Sequence, residues 1–289
     1  MGRSEGVRFH QYEARGQESA KTGEDEEESK VNTEDLKFKI RQYAMNLGVD
    51  DVGFANVRDY NSPRSPKIED LFPSAQSIIV LAYRESSHCE SRSPYMAMAG
   101  RTDLMEFSRS INYKLTRYLE KEFRTKAMAV PASYPLDMGG RAMGLIGEVS
   151  LRHAALAAGL GNFGRHNLII HPRLGARVLF TAVLCELDLP SDPQVTEDLC
   201  TYCNICVDEC PGMALDEEGK TDNMKCLRHS QPYGIGASIG FWNQLMKSSP
   251  EEQKKLLFSE GFMKMYQAHM IGFQYFCFNC FHTCPVGRG

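Results

Sequence analysis

The chain has no long hydrophobic run. None of its stretches reaches the roughly eighteen apolar residues that a membrane-spanning helix requires. Residues 1–30 contain no apolar core of a signal peptide and no twin-arginine pair, so no export signal is legible. The expected location is cytoplasmic, with no membrane partner. An excess of positive charge is also missing. Lysine and arginine total 33 against 37 acidic residues, giving a net charge of −4, which carries no electrostatic footprint for nucleic acid. Cysteine is nearly absent from the first two thirds: eight of the ten cysteines follow residue 199. That distribution speaks against a disulfide framework spread over the fold and for a local, cysteine-built metal site.

What is present is ordinary in bulk. The 289 residues are 42% apolar, enough for one large domain or two modest ones with a real core. Residues 1–31 read as a disordered acidic tail, because GQESAKTGEDEEESK offers almost no apolar surface to offset its ordering entropy. Order is expected from Asn32 and Thr33, plausible N-caps, with Leu36, Ile40, Tyr43 and Leu47 at helical spacing up to Gly48. VDDVGFANV and SIIVLAY read as strands. Leu104, Phe107, Ile111, Leu115, Tyr118 and Leu119 mark a helix from Asp103 to about Phe123. AMAV reads as a further strand and EVSLRHAALAAG as a helix. HNLIIH and RVLFTAVLCE read as a strand pair about the turn at residues 172–175. PSDP near residue 190 marks a boundary. The expected organisation is a mixed-sheet α/β domain over residues 32–190 and a cysteine-rich domain over 191–289.

The chemistry sits in two runs, CTYCNICVDECP (200–211) and CFNCFHTCP (277–285). In two-cluster ferredoxins the cysteine before proline ligates the other cluster. On that rule Cys200, Cys203, Cys206 and Cys284 form one set, and Cys210, Cys277 and Cys280 three quarters of another. Gln274 stands where the missing cysteine would be. Cys185 ends an apolar strand, where a small hydrophobe is expected, and Cys89 lies far upstream in the polar ESSHCESRS. Cys226, sixteen residues after Cys210, is therefore assigned as the eighth ligand. The full pattern points to two 4Fe–4S clusters. Structural zinc, or a 3Fe cluster that leaves Cys226 unused, are the alternatives.

SLRHAALAAGLGNFGRHNLIIHPRLGARVLFTAVLCELDLP, followed by the first cysteine run, resembles the iron–sulfur reductases that include epoxyqueuosine reductase and the reductive dehalogenases. The strand SIIVLAY, DDVGFANV and the displaced cysteine share in the likeness, which spans most of residues 34–286. The resemblance implies a nitroreductase-like cobalamin-binding domain followed by a two-cluster bacterial ferredoxin-like domain. A base-off cobalamin would lie near one cluster and supply the hard chemistry. Its contacts would fall on Ser150, Gly159, Leu160, Gly161, Asn162, Gly164, Arg165 and Asn167. From the residues alone, AGLGNFGRHN suits a cofactor loop and a plain glycine-rich turn equally.

Two departures shape the expectation. The place of the acidic proton donor in epoxyqueuosine reductase falls near Leu145. The substitutes in reach are Glu148 and Tyr134, with a dipole-favoured glutamate and a packed loop tyrosine as the plainer readings. The sequence also stops five residues after Cys284, without the helical-repeat extension that helps hold tRNA. A small-molecule substrate is therefore expected rather than nucleic acid, with a low-potential donor such as ferredoxin or flavodoxin. The rival readings are a corrinoid-free two-cluster electron-transfer protein and an epoxyqueuosine reductase acting on tRNA.

Overall fold

The computed structural model describes residues 23–133, 135–139, 144–271 and 275–287. In chain order its elements are α1 (Gly23–Asn46), β1 (Asp51–Asn56), α2 (Ile68–Leu71), β2 (Ser77–Arg84), α3 (Pro94–Glu122), β3 (Ala127–Val130), α4 (Leu151–Ala157), β4 (Asn162–Phe163), β5 (Ile169–Ile170) and β6 (Val178–Cys185). The cysteine-rich part adds α5 (Ile205–Asp208), α6 (Asn223–Ser230), α7 (Ile235–Lys247), α8 (Pro250–Leu257), α9 (Glu260–Ile271) and α10 (Asn279–Thr283).

A four-stranded sheet of order β1-β2-β6-β3 forms the centre, and β6 is buried along its whole length. Successive side chains of a strand point to opposite faces. Ile78, Val80, Ala82, Phe180, Ala182 and Leu184 therefore meet the small residues Ala154, Ala155 and Ala158 on one side. Ile79, Leu81, Tyr83, Leu179, Val183 and Cys185 meet Ile40 and Ala44 of α1 and Ile111, Leu115 and Leu119 of α3 on the other. Covering both faces explains why SIIVLAY and VLFTAVLC read as continuous apolar runs, each fully buried aliphatic contributing about 1.5–3 kcal/mol. Cys185 is a core residue, 0% exposed, and burial pushes its thiol up to about 12.

The α/β layering agrees with the sequence reading, but the mixed sheet does not. Every pairing in the described sheet is antiparallel. The reason is topological: the β2–α3–β3 crossover leaves β2 and β3 pointing the same way, and the later β6 inserts between them, antiparallel to both. The expected pair of HNLIIH with RVLFTAVLCE is also absent. Ile169–Ile170 turns back onto Asn162–Phe163, while β6 pairs with β2 and β3.

Helix α1 starts at Gly23, before the expected Asn32, since the stretch that follows Gly23 contains no proline or further glycine before Gly48. Residues 1–22 of the expected tail lie outside the described residues. Helix α3 likewise starts early, at Pro94, a residue suited to a first helical position, with the Ser93 side chain accepting from the Met96 N–H.

The segment after β6 is tied firmly to the sheet. Asp192 accepts the Phe54 N–H at 3.0 Å and pairs with Lys37 at 2.6 Å and Arg41 at 2.9 Å; Ser191 Oγ accepts the Asn56 N–H. Among the described residues no helix is long and apolar enough to cross a membrane.

Candidate iron–sulfur centres and active-site cleft

The turn between α4 and β5 fixes how the two parts meet. Gly159 and Gly161 have φ of +68° and +142°, and a Cβ on them would stand 2.3 Å from the Pro193 carbonyl oxygen and 2.1 Å from that of Ile170. Only glycine allows such close backbone approach. Leu160 is a core residue at 5% exposure. The Asn162 side chain donates to the carbonyls of Val195 and Glu197, holding the approach to the first cysteine run. Arg165 donates to the Asn204 side chain and lies 5.0 Å over the Tyr202 ring, and Asn204 itself has a left-handed φ at the start of α5.

The second run is anchored in turn to the first. Asn279 Nδ2 donates to the Glu209 carbonyl at 2.6 Å, and the Phe276 N–H to the Ser230 carbonyl at 2.7 Å. Asp222 caps α6, accepting from Met224 and Lys225 and so orienting the helix that carries Cys226.

These anchors gather the eight cysteines into two groups of four. Cys200, Cys203, Cys206 and Cys284 line one cavity, with Arg165 and His166 in its wall. Cys210, Cys226, Cys277 and Cys280 line a second, with Arg152, His166 and Tyr275. All ten cysteines are free thiols. Among the described residues no three His, Cys, Asp or Glu side chains close on a single-ion site. The thiols ring a cavity, as a multi-metal cluster requires.

Burial, and then the neighbouring sulfurs, raise the thiols of Cys206, Cys226, Cys277 and Cys280, the last to about 12. Thiolates crowded this way call for a cationic centre to hold them deprotonated. Cys89 stays outside both sets, buried against Phe278 and Phe281. Met263 and Met270, on α9, are 46% and 69% exposed.

A third cavity, an open cleft of about 500 Å³, lies over the start of α4. Leu145, Ile146, Val149 and Leu151 give it an apolar wall, and Arg64, Ser65, Ser150 and Arg152 a polar edge. Ser150 donates its N–H to Tyr60 Oη, and its hydroxyl lies 2.7 Å from His153 Nδ1. Burial, and then the Arg152 charge, lower the basicity of His153 and favour neutral imidazole. Arg152, Asn223, Cys226 and Tyr275 belong to the walls of both the cleft and the second cysteine cavity.

The predicted corrinoid contacts are therefore dispersed. Only Ser150 lines the cleft; Gly159 and Asn162 touch residues 192–197, Leu160 packs in the α/β core, Gly161 and Gly164 lie against Ile170, and Arg165 and Asn167 face the cysteine cavities. Of the predicted proton donors, Glu148 is exposed and outside the cleft wall, three residues before α4 rather than in its first turn. Tyr134 lies outside the described residues. Arg152 and Asn223 leave no signal in the sequence, since isolated residues on separate elements have no common spacing. His153, in the SLRHAALAAG helix, reads from the sequence either as a surface histidine or as one facing the cofactor, and it lines the cleft.

Comparison with known proteins agrees with this geometry. Residues 193–216 match the 4Fe-4S binding domain family. The epoxyqueuosine reductase of Staphylococcus aureus is 26% identical over 90% of this chain and 67% of its own length. That of Bacillus subtilis is 24% identical over 90% of this chain and 65% of its own. The chain thus spans about two thirds of the relatives it matches. A crystal structure of epoxyqueuosine reductase with a tRNA-Tyr epoxyqueuosine-modified stem loop superposes with a TM-score of 0.58 at 20% identity, covering 89% of this chain and 67% of that one. A reductive dehalogenase described for B12-dependent dehalogenation gives 0.51 at 19%, covering 66% and 28%. The two solved structures share the fold, and the sequence relatives make this chain an iron–sulfur oxidoreductase akin to the epoxyqueuosine reductases. The expectation that nucleic acid is no partner finds no support in these relatives.

Proposed function

We propose that this iron–sulfur oxidoreductase carries electrons inward through two 4Fe–4S clusters to a corrinoid seated in the cleft, where an epoxide-bearing substrate is reduced. The observation that carries the reading is the continuity of the three cavities. His166 is common to the two cysteine cavities, and Cys226 and Tyr275 are common to the second of them and the cleft. Cys203 is exposed, so the outer set suits entry of electrons from a ferredoxin or flavodoxin.

The cleft residues fit a flat macrocycle with an apolar face and an amide-bearing edge. Leu145, Ile146, Val149 and Leu151 would face the ring, while Arg64, Ser65, Ser150 and Arg152 would meet its periphery. A bound corrinoid supplies a strong low-potential reductant for opening an epoxide or cleaving a carbon–halogen bond. The chain's own tasks are to exclude water along the apolar wall and to manage a proton. His153, beside the Ser150 hydroxyl, is placed to take a proton from solvent and give it as imidazolium, returning to the neutral form that its burial favours. It takes the part expected of Glu148 or Tyr134.

Epoxyqueuosine on tRNA is the first substrate to test, because the relatives are epoxyqueuosine reductases and two cations, Arg64 and Arg152, stand at the cleft. A second reading, a small halogenated, epoxide or thioether molecule, is favoured by the net charge of −4. The test is dithionite-driven turnover by anaerobically reconstituted protein supplied with hydroxocobalamin. Loss of one oxygen from an epoxyqueuosine stem loop, read by mass, supports the first substrate. Turnover of small substrates alone supports the second. Clusters that reduce neither, with no corrinoid retained, would instead leave an electron-transfer protein.

A further inference from the structure

His166 occupies a position that packing alone does not explain. It is 5% exposed and stands in the walls of both cysteine cavities. Its ring is pinned, since Asn167 takes a left-handed φ of 60°, the Asn167 N–H donates to the Gly164 carbonyl, and a Cβ on Gly164 would stand 2.7 Å from His166 Cε1. The Leu168 N–H donates to Nδ1 at 3.1 Å, so Nδ1 is an acceptor and the ring proton resides on Nε2. Burial lowers the basicity of the ring.

Nε2 is buried and has no hydrogen-bond partner among the described residues. A buried donor left unpaired costs about 1–3 kcal/mol, and the great majority of such groups in folded proteins are satisfied. Both cavities whose walls include this ring are lined by thiols. Cys200, Cys203, Cys206 and Cys284 lie to one side, and Cys210, Cys226, Cys277 and Cys280 to the other.

We infer that the His166 Nε2–H donates a hydrogen bond to a cluster sulfur at the wall shared by the two sites, and so sets the relative potentials of the two clusters. Reduction adds negative charge to a cluster, and a donor aimed at its sulfur stabilises that reduced state, raising the potential. The transfer itself moves one electron from the donor cluster to the acceptor cluster, with no atom exchanged.

The inference rests on the two-cluster reading, so iron and sulfide analysis of the wild-type protein comes first. Protein without iron–sulfur content would overturn that reading, and this inference with it. Clusters that lack the histidine signature would overturn the inference alone. The decisive measurement is pulsed EPR of the reduced full chain labelled with nitrogen-15 histidine, in water and in deuterium oxide. The expected result is a nitrogen-15 coupling with an exchangeable proton at a reduced cluster.

In His166→Leu the coupling should vanish at unchanged iron content. One cluster's reduction equilibrium should shift tenfold toward the oxidised form, about 59 mV for a one-electron couple. His166→Gln, which keeps an N–H, should recover part of that shift. Absence of the coupling in the wild type, or its persistence in His166→Leu with both midpoints unchanged, would overturn the inference. Should His166→Leu lose its clusters, the labelled wild type and His166→Gln still decide the matter.

Discussion

Gly161→Ala is a severe test of how the turn that leads to Arg165 and His166 is held against β5. The glycine has a φ of +142°, a region costing a residue with a Cβ about 1–3 kcal/mol. The new methyl would begin 2.1 Å from the Ile170 carbonyl oxygen, where ordinary contact needs about 3.4 Å, so β5 must retreat by about 1.3 Å. Overpacking of that kind costs a further 1–3 kcal/mol or so, and the two-residue β4–β5 ladder has little pairing to spare. The expected total is about 2–6 kcal/mol, measured as a lower urea midpoint at unchanged slope. Iron content should fall as well, because Arg165, His166 and Asn167 follow on the same turn and face both cysteine cavities. A loss below about 1 kcal/mol with full iron content would refute the reasoning, since neither the strain nor the close approach would then be real.

Three further outcomes are expected. Cys226→Ala should remove about half of the cluster iron, leaving the Cys200 set intact; unchanged iron content would remove Cys226 from the second site. Asp192→Ala leaves Lys37, whose side chain is 4% exposed, with the exposed Glu34 at 3.5 Å and the Phe54 ring at 5.4 Å but without its close buried carboxylate. The expected loss is about 3 kcal/mol in urea unfolding, and a loss within 0.5 kcal/mol or so would show that the tether is idle. Burial tends to raise the Asp51 carboxyl, but hydrogen bonds from His171, Arg173 and the Val52 N–H outweigh it and hold the group well below the usual range. A carboxyl depressed on folding contributes stability above its unfolded value of about 4 and loses it as pH falls further. Asp51→Asn should therefore flatten the acid limb of the stability profile, and an unchanged limb would count against the Asp51–His171–Arg173 cluster.

The sequence was most legible where chemistry imposes spacing or where burial is complete. The crossing of Cys210 and Cys284 between runs and the choice of Cys226 followed from spacing, and the structure groups the same residues four by four. SIIVLAY and VLFTAVLC read as strands because both faces of each are covered. Pairing was harder to read: Ile169–Ile170 could fold forward onto β6 or back onto β4, and the deciding contact is the passage of the Gly161 backbone beneath the Ile170 carbonyl. The glycines of AGLGNFG left cofactor loop and turn equally open, since both need positive φ or close approach. The cleft was least visible, because its wall is assembled from Arg64, Ser150, Arg152, Asn223 and Tyr275, residues on distant segments with no common period.

The central claim is that the cleft beside Cys226 holds a corrinoid fed by the inner cluster. Its most direct test is corrinoid retention by the full chain after anaerobic cluster reconstitution, incubation with hydroxocobalamin and desalting, read by visible spectroscopy. The account predicts about one corrinoid retained per chain, with a base-off spectrum that changes when the clusters are reduced. Intact clusters with no retained corrinoid would contradict it.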